Sequence, residues 1–458
     1  MASYDYDVIV IGSGAGGNIA AQQLAKAGKS VALIEKGKLG GPTPRYGSIP
    51  FQAVRQSAEI FQAAKHGARF GVRGVNVGYN YPSIKAWKDL VVKRTRVQNS
   101  EEHLLGLSIN VVQGRAHFID PHTVSIGNTR FSSREFLIAT GSELTIPDAP
   151  GLPESGFITA REALDLNRPP KSLAIVGSDS SACEFAELFA SFGTKVYLID
   201  SAPSLLSEEE PDVADILSEH FMVDLSMTLV FDASLEAVRK VGTSKRVSFN
   251  RAGKSQTILV DEILITSPKK ASLDIGLENA GVQHKDGGII VDQTLQTSAK
   301  HIYAAGSCTG QSGAGTHVST YQSQIAAYNL CHQKPLYADY RAVPRVIFTS
   351  PEVAIVGPTE RELKRQNINA NTATAPLSVI AKANTTDFSD GFVKLNADKR
   401  TGALLGGTIM CPSASELVQE LSLAVQNHLD VSQIAQTVHA FPTWSEAIRV
   451  AAAKLAKS

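Results

Sequence analysis

A glycine-rich turn near the amino terminus has the residue types and the spacing that bind a dinucleotide. Gly12, Gly14 and Gly17 form a GxGxxG pattern, and Glu35 lies 23 positions after the first glycine. The first glycine permits a tight turn, the second lets a pyrophosphate approach the backbone, and the third lets a helix pack on a strand. The N–H groups at the start of that helix would bind the phosphates, and Glu35 would accept hydrogen bonds from ribose hydroxyls. These residues predict a nucleotide site.

The elements needed to position this turn are present on both sides of it. YDVIVIG is a continuous apolar run of the kind that forms a buried parallel strand, and it ends at the glycines. A helical pattern follows, and the apolar strand SVALIE then ends at Glu35. Strand, helix and acid occur in the expected order and at the expected spacing. The alternative, a glycine-rich turn that binds no nucleotide, is therefore weaker. Residues 6–35 are predicted to form a βαβ unit.

A second copy of this unit is predicted at residues 171–200. The runs SLAIVG, CEFAELFASFG and KVYLID repeat strand, helix and strand, and Gly177 and Asp200 are again 23 positions apart. Two copies imply two dinucleotide-binding domains. The second copy is inserted in the first, since strand-like HIYAAG and helical SQIAAYNL follow it.

From about residue 343 the pattern changes to alternating strands followed by helices, which indicates a terminal α+β domain. We therefore predict an α/β fold with two Rossmann-type domains and this terminal domain. The predicted boundaries are 1–150 with 271–342 for the first domain, 151–270 for the inserted domain and 343–458 for the last.

Composition excludes several classes of protein. The 44 basic and 44 acidic residues cancel, so the chain lacks the charge excess that binds nucleic acid. Four cysteines, without a CxxC pair or a Cys/His cluster at zinc spacing, predict neither a disulfide framework nor a metal site. The start MASYDYDVIVIG lacks the basic region of a signal peptide, and no apolar run approaches the about 20 residues of a membrane span. The expectation is a cytoplasmic protein that acts on a small-molecule substrate.

The second glycine-rich turn departs from the pattern at its centre. It reads GSDSSA from Gly177 to Ala182, so Asp179 replaces the middle glycine. A carboxylate that faces a pyrophosphate would oppose binding by like-charge repulsion. Alternatively, Asp179 caps the following helix, which is a common role of Asp at that position. Asp200 either favours NAD over NADP or is a solvated acid at the end of a strand, so NAD(P)H binding stays open.

Several segments resemble, in the right order, those of FAD-binding members of the pyridine nucleotide–disulfide oxidoreductase family. They are FLIATGSELTIP (136–147), TSAKHIYAAGSCTG (297–310), GGPTPRYGSIP (40–50), GRAHFIDPHTV (114–124), VIFTSPEVAIVG (346–357) and HAFPTWSEA (439–447). The chain is thus similar to dihydrolipoyl dehydrogenases, mercuric reductases and soluble transhydrogenases. The resemblance implies bound FAD, an FAD domain with an inserted NAD domain, and a C-terminal domain that forms a homodimer through residues 414–429. It further implies cofactor contacts at Lys36, Gly41, Ala116, Thr140, Gly141, Ser307, Thr316 and His317.

The departures from the family concern its dithiol chemistry. Disulfide-reducing members carry two cysteines at the positions of Thr43 and Ser48, and a proton-handling histidine at the position of Phe441. Hydroxyl groups cannot form a disulfide and are not ionised near neutral pH. Glu446, which would orient that histidine, remains, but a carboxylate without its imidazole is a different acid–base device. His439, the first residue of the same motif, is expected to be structural, and disulfide reduction is not expected.

The surroundings of the flavin are predicted to differ as well. The family pairs a lysine with a glutamate beside the flavin. The glutamate is Glu184 here, but Gln52 stands at the lysine position. The family's ribityl-binding aspartate is Ser307, whose hydroxyl can still form a weaker hydrogen bond. His317 is expected to be a packing or capping residue rather than a catalyst.

Two functional hypotheses follow. The first is a flavoenzyme in which hydride or electrons pass from NAD(P)H, or another donor, to a small non-disulfide acceptor such as a quinone or a nicotinamide nucleotide. Transhydrogenases of the family also work without the dithiol pair, and Gln52, Glu184 and Glu446 are then the candidate catalytic residues. The second is a non-catalytic FAD-binding member that serves as a regulatory or structural partner. It would explain several losses together, including that of a glycine–arginine pair replaced by Ser267 and Pro268.

Overall fold

The computed structural model describes residues 4–72, 77–95, 100–266, 269–285, 287–310 and 315–457. Contacts between Cα atoms divide the chain into two compact units. The first unit consists of Met1–Ile146, Thr159–Arg168 and Pro268–Ala338, and the second of Pro147–Ile158, Pro169–Ser267 and Asp339–Ser458.

Helices and strands alternate through much of the chain. The helices are α1 (Ala15–Lys26), α2 (Ser48–Lys65), α3 (Tyr81–Thr95), α4 (Glu101–Gly106), α5 (Leu152–Ser155), α6 (Ala160–Ala163), α7 (Ser180–Ser191), α8 (Pro211–Glu219), α9 (Thr316–Asn329), α10 (Glu360–Arg365), α11 (Ala381–Thr386), α12 (Ala414–Gln426), α13 (Val431–Gln436) and α14 (Glu446–Leu455). The strands are β1 (Tyr6–Ile11), β2 (Val31–Glu35), β3 (Ile109–Gln113), β4 (His117–Asp120), β5 (Thr123–Ile126), β6 (Thr129–Ile138), β7 (Ser142–Leu144), β8 (Ser172–Val176), β9 (Lys195–Ile199), β10 (Thr228–Val230), β11 (Ala233–Val241), β12 (Ser244–Arg251), β13 (Lys254–Val260), β14 (Glu262–Ile265), β15 (Lys269–Ala271), β16 (His284–Lys285), β17 (Gly288–Ile289), β18 (Ile302–Ala304), β19 (Arg345–Ile347), β20 (Glu352–Val356), β21 (Ala370–Pro376), β22 (Phe392–Asp398) and β23 (Leu404–Cys411).

The first unit is built on a sheet whose strands follow the order β3-β2-β1-β6-β5-β4, with β18 also paired to β6. The pairs that join β1, β2, β3, β6 and β18 are parallel, which confirms the predicted Rossmann-type βαβ unit. Strand β1 is buried on both faces, since Val8 and Val10 lie in one apolar cluster and Ile9 and Ile11 in another. Burial on both faces explains why its sequence is a continuous apolar run.

The chain leaves this sheet after β6 and returns to it at β18. In β18, Ile302 pairs with Phe136 of β6, and α9 then packs against α1. The strand and helix expected after residue 300 are therefore present. The prediction that the second βαβ unit is inserted in the first is confirmed.

The second unit contains the second βαβ unit. Strand β8 pairs in parallel with both β9 and β14, α7 connects β8 to β9, and the sheet order is β10-β9-β8-β14. The sequence did not predict the antiparallel meander β11-β12-β13 that follows. The meander lacks apolar runs because much of it is exposed, including most of β13.

The end of the second unit is a five-stranded antiparallel sheet in the order β19-β20-β23-β22-β21, against which α12 and α14 pack. The apolar runs RVIFT, VAIVG, FVKLN and LLGGTIM form β19, β20, β22 and β23, which matches the alternating strands predicted after residue 343, and α12 lies within the predicted segment 414–429. Strand β21 (ANTATAP) was not predicted because it has no apolar run. Contacts group residues 169–267 and 339–458 in one unit, and the three-domain boundaries given above remain a prediction.

Candidate functional site

The first glycine-rich turn links β1 to α1. Gly12 has a φ of +102°, which favours glycine, and a Cβ there would overlap the carbonyl oxygen of Ala139. A Cβ at Gly17 would overlap the carbonyl oxygen of Gly12, so this glycine lets α1 pack close to the turn. Both positions therefore require glycine for reasons internal to the protein.

Gly14 is different because nothing in the described chain crowds it. It is the N-cap of α1, with extended backbone and no side-chain cap, and a Cβ placed on it would meet nothing within 4 Å. Gly41 closes one side of this space, since a Cβ on Gly41 would lie 2.7 Å from the Cα of Gly14. The first N–H groups of α1 therefore face a cradle, which is the arrangement that binds a pyrophosphate.

Glu35 ends β2 and is tied to the same turn. Its Oε2 accepts hydrogen bonds from the Ser13 N–H (2.8 Å) and the Ser13 hydroxyl (2.7 Å), and its Oε1 accepts one from the Gly37 N–H (2.7 Å). Ser13 is fully buried, so the orientation of the carboxylate is fixed. A carboxylate offers about four lone-pair sites, which leaves capacity for ribose hydroxyls. The cradle and this acid fit a dinucleotide such as FAD.

Thr140 and Gly141 follow β6 at the edge of the sheet where the first turn lies. Ile11 at the end of β1 pairs with Ile138 at the end of β6, so the two turns begin side by side. The Thr140 hydroxyl donates to the carbonyl of Ser272 (2.7 Å), and Gly141 has a φ of +73°. The structure thus brings these two predicted cofactor residues to the nucleotide turn.

Three other predicted cofactor residues have local roles of their own. The Lys36 ammonium pairs with the Glu143 carboxylate on the exposed surface. Ala116 is 3% exposed and packs in the core, so it offers a ligand only its backbone. Ser307 begins the turn after β18, where the neighbouring Gly306 N–H donates to Oε1 of Gln322 (2.6 Å).

The N-terminus of α9 lies against the turn that precedes α2. The Thr316 hydroxyl is 2.8 Å from the Thr43 hydroxyl. The ring of His317 lies over Gly315, since a Cβ on that glycine would be 3.0 Å from the imidazole Cε1. His317 is exposed, and its packing or capping role remains a prediction.

Thr43 and Ser48 occupy a tight turn that leads directly into α2. The N–H groups of residues 45–47 donate to the carbonyl of Pro42, and the Ile49 N–H donates to the carbonyl of Thr43 (3.2 Å). Ser48 is the first residue of α2. The backbone of this segment is ordered, but its side chains at the two dithiol positions are hydroxyls.

The four cysteines do not replace the missing thiols. All four lie within the described residues and are free. Burial raises the pKa of the thiols of Cys183, Cys308 and Cys411, the last to about 12, and it also raises the pKa of Cys331. The thiolate is the reactive form, so these groups are poor nucleophiles near neutral pH.

Gln52 lies one turn into α2, and the oxygen and the nitrogen of its side-chain amide differ in their hydrogen bonding. Its Oε1 accepts a hydrogen bond from Nη1 of Arg55 (3.3 Å). Its Nε2 is buried and has no hydrogen-bond partner among the described residues. Glu184 of the second unit, by contrast, accepts a hydrogen bond from the Phe348 N–H (2.9 Å), a structural contact that the sequence did not predict. The catalytic roles of Gln52 and Glu184 remain predictions.

The second glycine-rich turn keeps the first glycine and the serine of the first turn, but Asp179 replaces the middle glycine and Ala182 replaces the third. Gly177 has a φ of +129°, and the Ser178 hydroxyl donates to Oδ2 of Asp200 (2.6 Å). Asp179 is the N-cap of α7, and its Oδ1 accepts a hydrogen bond from the Ala182 N–H (2.9 Å). Of the two interpretations of Asp179, the helix cap is the one that the structure supports. The predicted replacement at Ser267-Pro268 lies outside the described residues.

The C-terminal motif presents an exposed ring instead of an acid–base group. Phe441 is 73% exposed. The His439 side chain is 4% exposed, and its two ring nitrogens lie 2.9 Å from the Thr437 carbonyl and 3.0 Å from Oε1 of Glu420, which supports the structural interpretation. Oε2 of Glu446 is buried without a hydrogen-bond partner in the described part of the chain.

The described residues contain neither a membrane-spanning helix nor a cluster of metal ligands. No helix there is long and apolar enough to cross a membrane. No group of three or more His, Cys, Asp or Glu side chains there could hold a metal ion.

Comparison with known proteins agrees with this geometry. Residues 6–328 match the family model for pyridine nucleotide-disulphide oxidoreductases, and residues 343–452 match that family's dimerisation domain. The chain is 32% identical to dihydrolipoyl dehydrogenase of Geobacillus stearothermophilus, over 98% of this chain and 96% of the relative. It is 29% identical to mercuric reductase of Staphylococcus aureus, over 98% of this chain and 82% of the relative.

Solved structures show the same relationship. The flavoprotein disulfide reductase RclA of Escherichia coli superposes with a TM-score of 0.86 at 26% identity, covering 98% of this chain and 99% of RclA. LpdA of Mycobacterium tuberculosis superposes with a TM-score of 0.87 at 26% identity, with the same coverage. The chain therefore belongs to the pyridine nucleotide-disulphide oxidoreductase family, whose members are FAD-dependent oxidoreductases that use NAD(P)H.

Proposed function

We propose that this chain is an FAD-dependent oxidoreductase that transfers hydride or electrons to a small non-disulfide acceptor, such as a quinone or a nicotinamide nucleotide. The observation that carries the proposal is the chemistry at Thr43 and Ser48. Their hydroxyls cannot cycle between dithiol and disulfide, and the four cysteines elsewhere have raised pKa values. FAD, when bound, supplies the redox chemistry, as cofactors do in general.

The residues of the first turn would hold the cofactor. The N–H groups behind Gly14 would bind the pyrophosphate, and Glu35, fixed by Ser13, would bind the ribose. Thr140 and Gly141 would line the same edge of the sheet. These groups orient the cofactor and do not themselves move protons.

The nature of the acceptor is constrained by the C-terminal motif. Phe441 carries no titratable group, so it cannot donate a proton to a thiolate leaving group, as the family's histidine would. This supports a quinone or a nicotinamide more than a thiol compound.

The donor is NAD(P)H or another reductant. The Asp179 carboxylate already satisfies the Ala182 N–H at the helix N-terminus that would otherwise face the pyrophosphate of a second nucleotide. A nicotinamide nucleotide would have to bind without that contact or displace the carboxylate. This contact favours weak NAD(P)H binding or a different donor.

The test separates the acceptor from the donor. Purified holoprotein is reduced under argon with one equivalent of dithionite and then mixed with a water-soluble quinone, an NAD⁺ analogue, lipoamide, glutathione disulfide or mercuric ion. We expect the flavin absorbance to return with the quinone or the nicotinamide analogue, and with no other acceptor faster than in buffer. Reoxidation by a disulfide or mercuric ion would overturn the proposal.

The same experiment tests the non-catalytic alternative. A protein that is purified without flavin, or whose reduced flavin none of the acceptors reoxidises, would support a regulatory or structural role. Parallel mixing with NADH and NADPH, in place of dithionite, identifies the donor. Bleaching by neither nucleotide would assign a different donor and leave the acceptor result intact.

The match of residues 343–452 to a dimerisation domain supports a homodimer, with α12 at its interface. Leu423 on α12 is 61% exposed, as expected for a residue that a second copy covers. Light scattering at micromolar concentration should give twice the mass of the chain. A monomer would contradict this part of the proposal.

A further inference from the structure

One face of α2 carries a row of hydrogen-bonded polar side chains that ends inside the protein. Arg55 lies three positions and Glu59 seven positions after Gln52, so the three side chains share one face of the helix. Arg55 donates from Nη1 to Oε1 of Gln52 (3.3 Å), and its Nη2 lies 2.9 Å from Oε1 of Glu59. The Arg55 side chain is 15% exposed and that of Glu59 is 42% exposed. This row of side chains therefore runs from solvent at Glu59 to the interior at Gln52.

At the inner end of this row, the Nε2 group of Gln52 is a hydrogen-bond donor that has no acceptor among the described residues. A guanidinium has only donors, so the amide atom that faces Arg55 must be the oxygen of Gln52. This orientation turns Nε2 away from Arg55, and Nε2 is buried with no partner among the described residues. A buried amide donor is costly to leave unpaired. The donor thus points to an acceptor that the described chain does not supply.

The position of α2 indicates what that acceptor is. The turn at 41–47 leads directly into α2 and contacts the cofactor cradle where Gly41 packs on Gly14; in the same turn, Thr43 lies against Thr316 at the start of α9. A buried donor one turn into α2 is therefore close in the chain to the cradle. The isoalloxazine of FAD carries ring nitrogens and carbonyl oxygens that accept hydrogen bonds.

We propose that Arg55 is a positioning residue that acts on the flavin through Gln52. The guanidinium fixes the amide with Nε2 toward the flavin, and its permanent charge polarises the amide, which makes Nε2–H a stronger donor. The flavin gains negative charge on reduction, so this arrangement stabilises the reduced form. Arg55 thereby supplies positive potential that a neutral residue at position 52 cannot supply alone.

The test is the midpoint potential of the bound FAD, measured against a reference dye under anaerobic conditions. A unit charge that acts over about 10 Å at an effective dielectric of about 20 changes an equilibrium by roughly tenfold, and the Glu59 carboxylate paired with Arg55 offsets part of that charge. Arg55→Gln should therefore lower the potential by up to about 30 mV, which is a tenfold change for a two-electron couple. Lys65→Gln is the matched control, because it removes an exposed cation from the end of the same helix and should leave the potential unchanged.

A double-mutant cycle tests whether the effect passes through the amide. In a Gln52→Leu background, Arg55→Gln should lower the potential much less than in wild type. Arg55→Lys, which keeps the charge but loses the planar fork, should give an intermediate potential. An unchanged potential in Arg55→Gln at full flavin content would overturn the proposal, as would equal effects in the two backgrounds.

A second variant covers the case in which Arg55→Gln does not fold or does not retain FAD. Gln52→Lys places a charge directly at the inner position and should raise the potential above wild type. No rise in that variant would also overturn the inference. The measurement depends on FAD binding and on neither the donor nor the acceptor, so its failure is distinguishable from failure of the proposed function.

Discussion

The two glycine-rich turns of this chain contain the same hydrogen bond between a serine and an acid. Ser13 donates to Glu35 at 2.7 Å in the first turn, and Ser178 donates to Asp200 at 2.6 Å in the second. In both turns the preceding glycine has positive φ, and an acid stands at the end of the next parallel strand: Glu35 is the last residue of β2, and Asp200 directly follows β9. The scaffold that presents a helix N-terminus to a nucleotide is therefore retained twice.

The turns differ in what satisfies that helix N-terminus. At the first turn the N-cap is Gly14, which has no side chain, so the N–H groups of α1 are left for a ligand. At the second turn the N-cap is Asp179, whose carboxylate accepts from the Ala182 N–H. A carboxylate satisfies the same donors, and interacts with the same helix dipole, as a phosphate would. One residue thus converts a phosphate-binding turn into a capped one.

The largest expected effect is at the first turn. Gly14→Val should abolish FAD binding, because its side chain would fill the space in front of α1. A Cβ there meets no atom of the described residues within 4 Å, so the apoprotein should fold with a capping cost of about 1 kcal/mol. The ratio of flavin to protein absorbance measures the result.

Gly106→Val is the matched control for this change. Gly106 ends α4, is exposed, and a Cβ there also meets nothing within 4 Å. This variant should retain flavin at the wild-type ratio. Normal flavin content in Gly14→Val would show that the cradle has been misassigned.

At the second turn, two variants distinguish charge from capping. Asp179→Asn keeps the cap and removes the charge, whereas Asp179→Gly removes both. The capping carboxylate occupies the Ala182 N–H and still places a negative charge at the helix N-terminus, so we expect Asp179→Gly to strengthen NADH binding by on the order of 1–4 kcal/mol, with a smaller gain at high salt. Asp179→Asn should gain less, because its side chain still occupies the helix N-terminus.

Titration of NADH into the three proteins at two salt concentrations gives these differences. Chemical unfolding should show Asp179→Gly to be less stable by a few tenths of a kcal/mol, the usual difference between Asp and Gly caps. Equal NADH affinity in all three proteins would mean that Asp179 does not control the second site.

The shared serine–acid hydrogen bond allows a paired comparison. Ser13→Ala and Ser178→Ala should each lower the free energy of unfolding by about 1 kcal/mol, a typical value for one hydrogen bond. Only Ser13→Ala should also weaken FAD binding, because Glu35 would be less firmly held. A loss of FAD from Ser178→Ala comparable to that from Ser13→Ala would contradict the assignment of one cofactor to the first turn.

The smallest expected effect is a pH dependence of the free energy of unfolding that comes from His220, which contacts the helix that follows the second turn. His220 lies 2.8 Å from Oδ2 of Asp224 and 3.9 Å from Oε1 of Glu187 on α7. Burial would lower the pKa of His220, but hydrogen bonds and charge from these two carboxylates outweigh it and raise that pKa above 6.5. The charged form is therefore favoured in the folded state. Its contribution is fully present below pH 6.5 and is lost as the pH rises through the raised pKa.

His220→Gln removes this contribution. The difference in unfolding free energy between wild type and variant should be about 1 kcal/mol or less at low pH and should shrink as the pH rises. Denaturant titrations from about pH 5.5 to 8.5 measure it. A difference that is constant across this range would show that the imidazole charge plays no part.

Much of the fold could be predicted because its central strands are buried on both faces. Such strands have continuous apolar sequences, as in β1 and β8, and the glycines between strand and helix mark where each turn must lie. Exposed strands have no such pattern. For this reason β13 and β21 were not foreseen.

The sequence could predict the positions of the site residues but not the hydrogen bonds that they form. The sequence places an acid at Asp179, but repulsion of a phosphate and capping of a helix use the same carboxylate at the same place. Only the hydrogen bond to Ala182 distinguishes them. The hydrogen bond between Gln52 and Arg55 is compatible with their spacing of three positions on a helix, but that spacing alone does not show which atoms meet.

The most direct test of the central claim is a count of electrons. Anaerobic dithionite titration of the holoprotein measures how many electrons each bound FAD centre accepts before the spectrum stops changing. With hydroxyls at Thr43 and Ser48, we expect two electrons per FAD and no long-wavelength band from a thiolate beside the flavin. An uptake of four electrons per FAD, with such a band at the midpoint, would show a second redox centre and contradict the proposed non-disulfide chemistry.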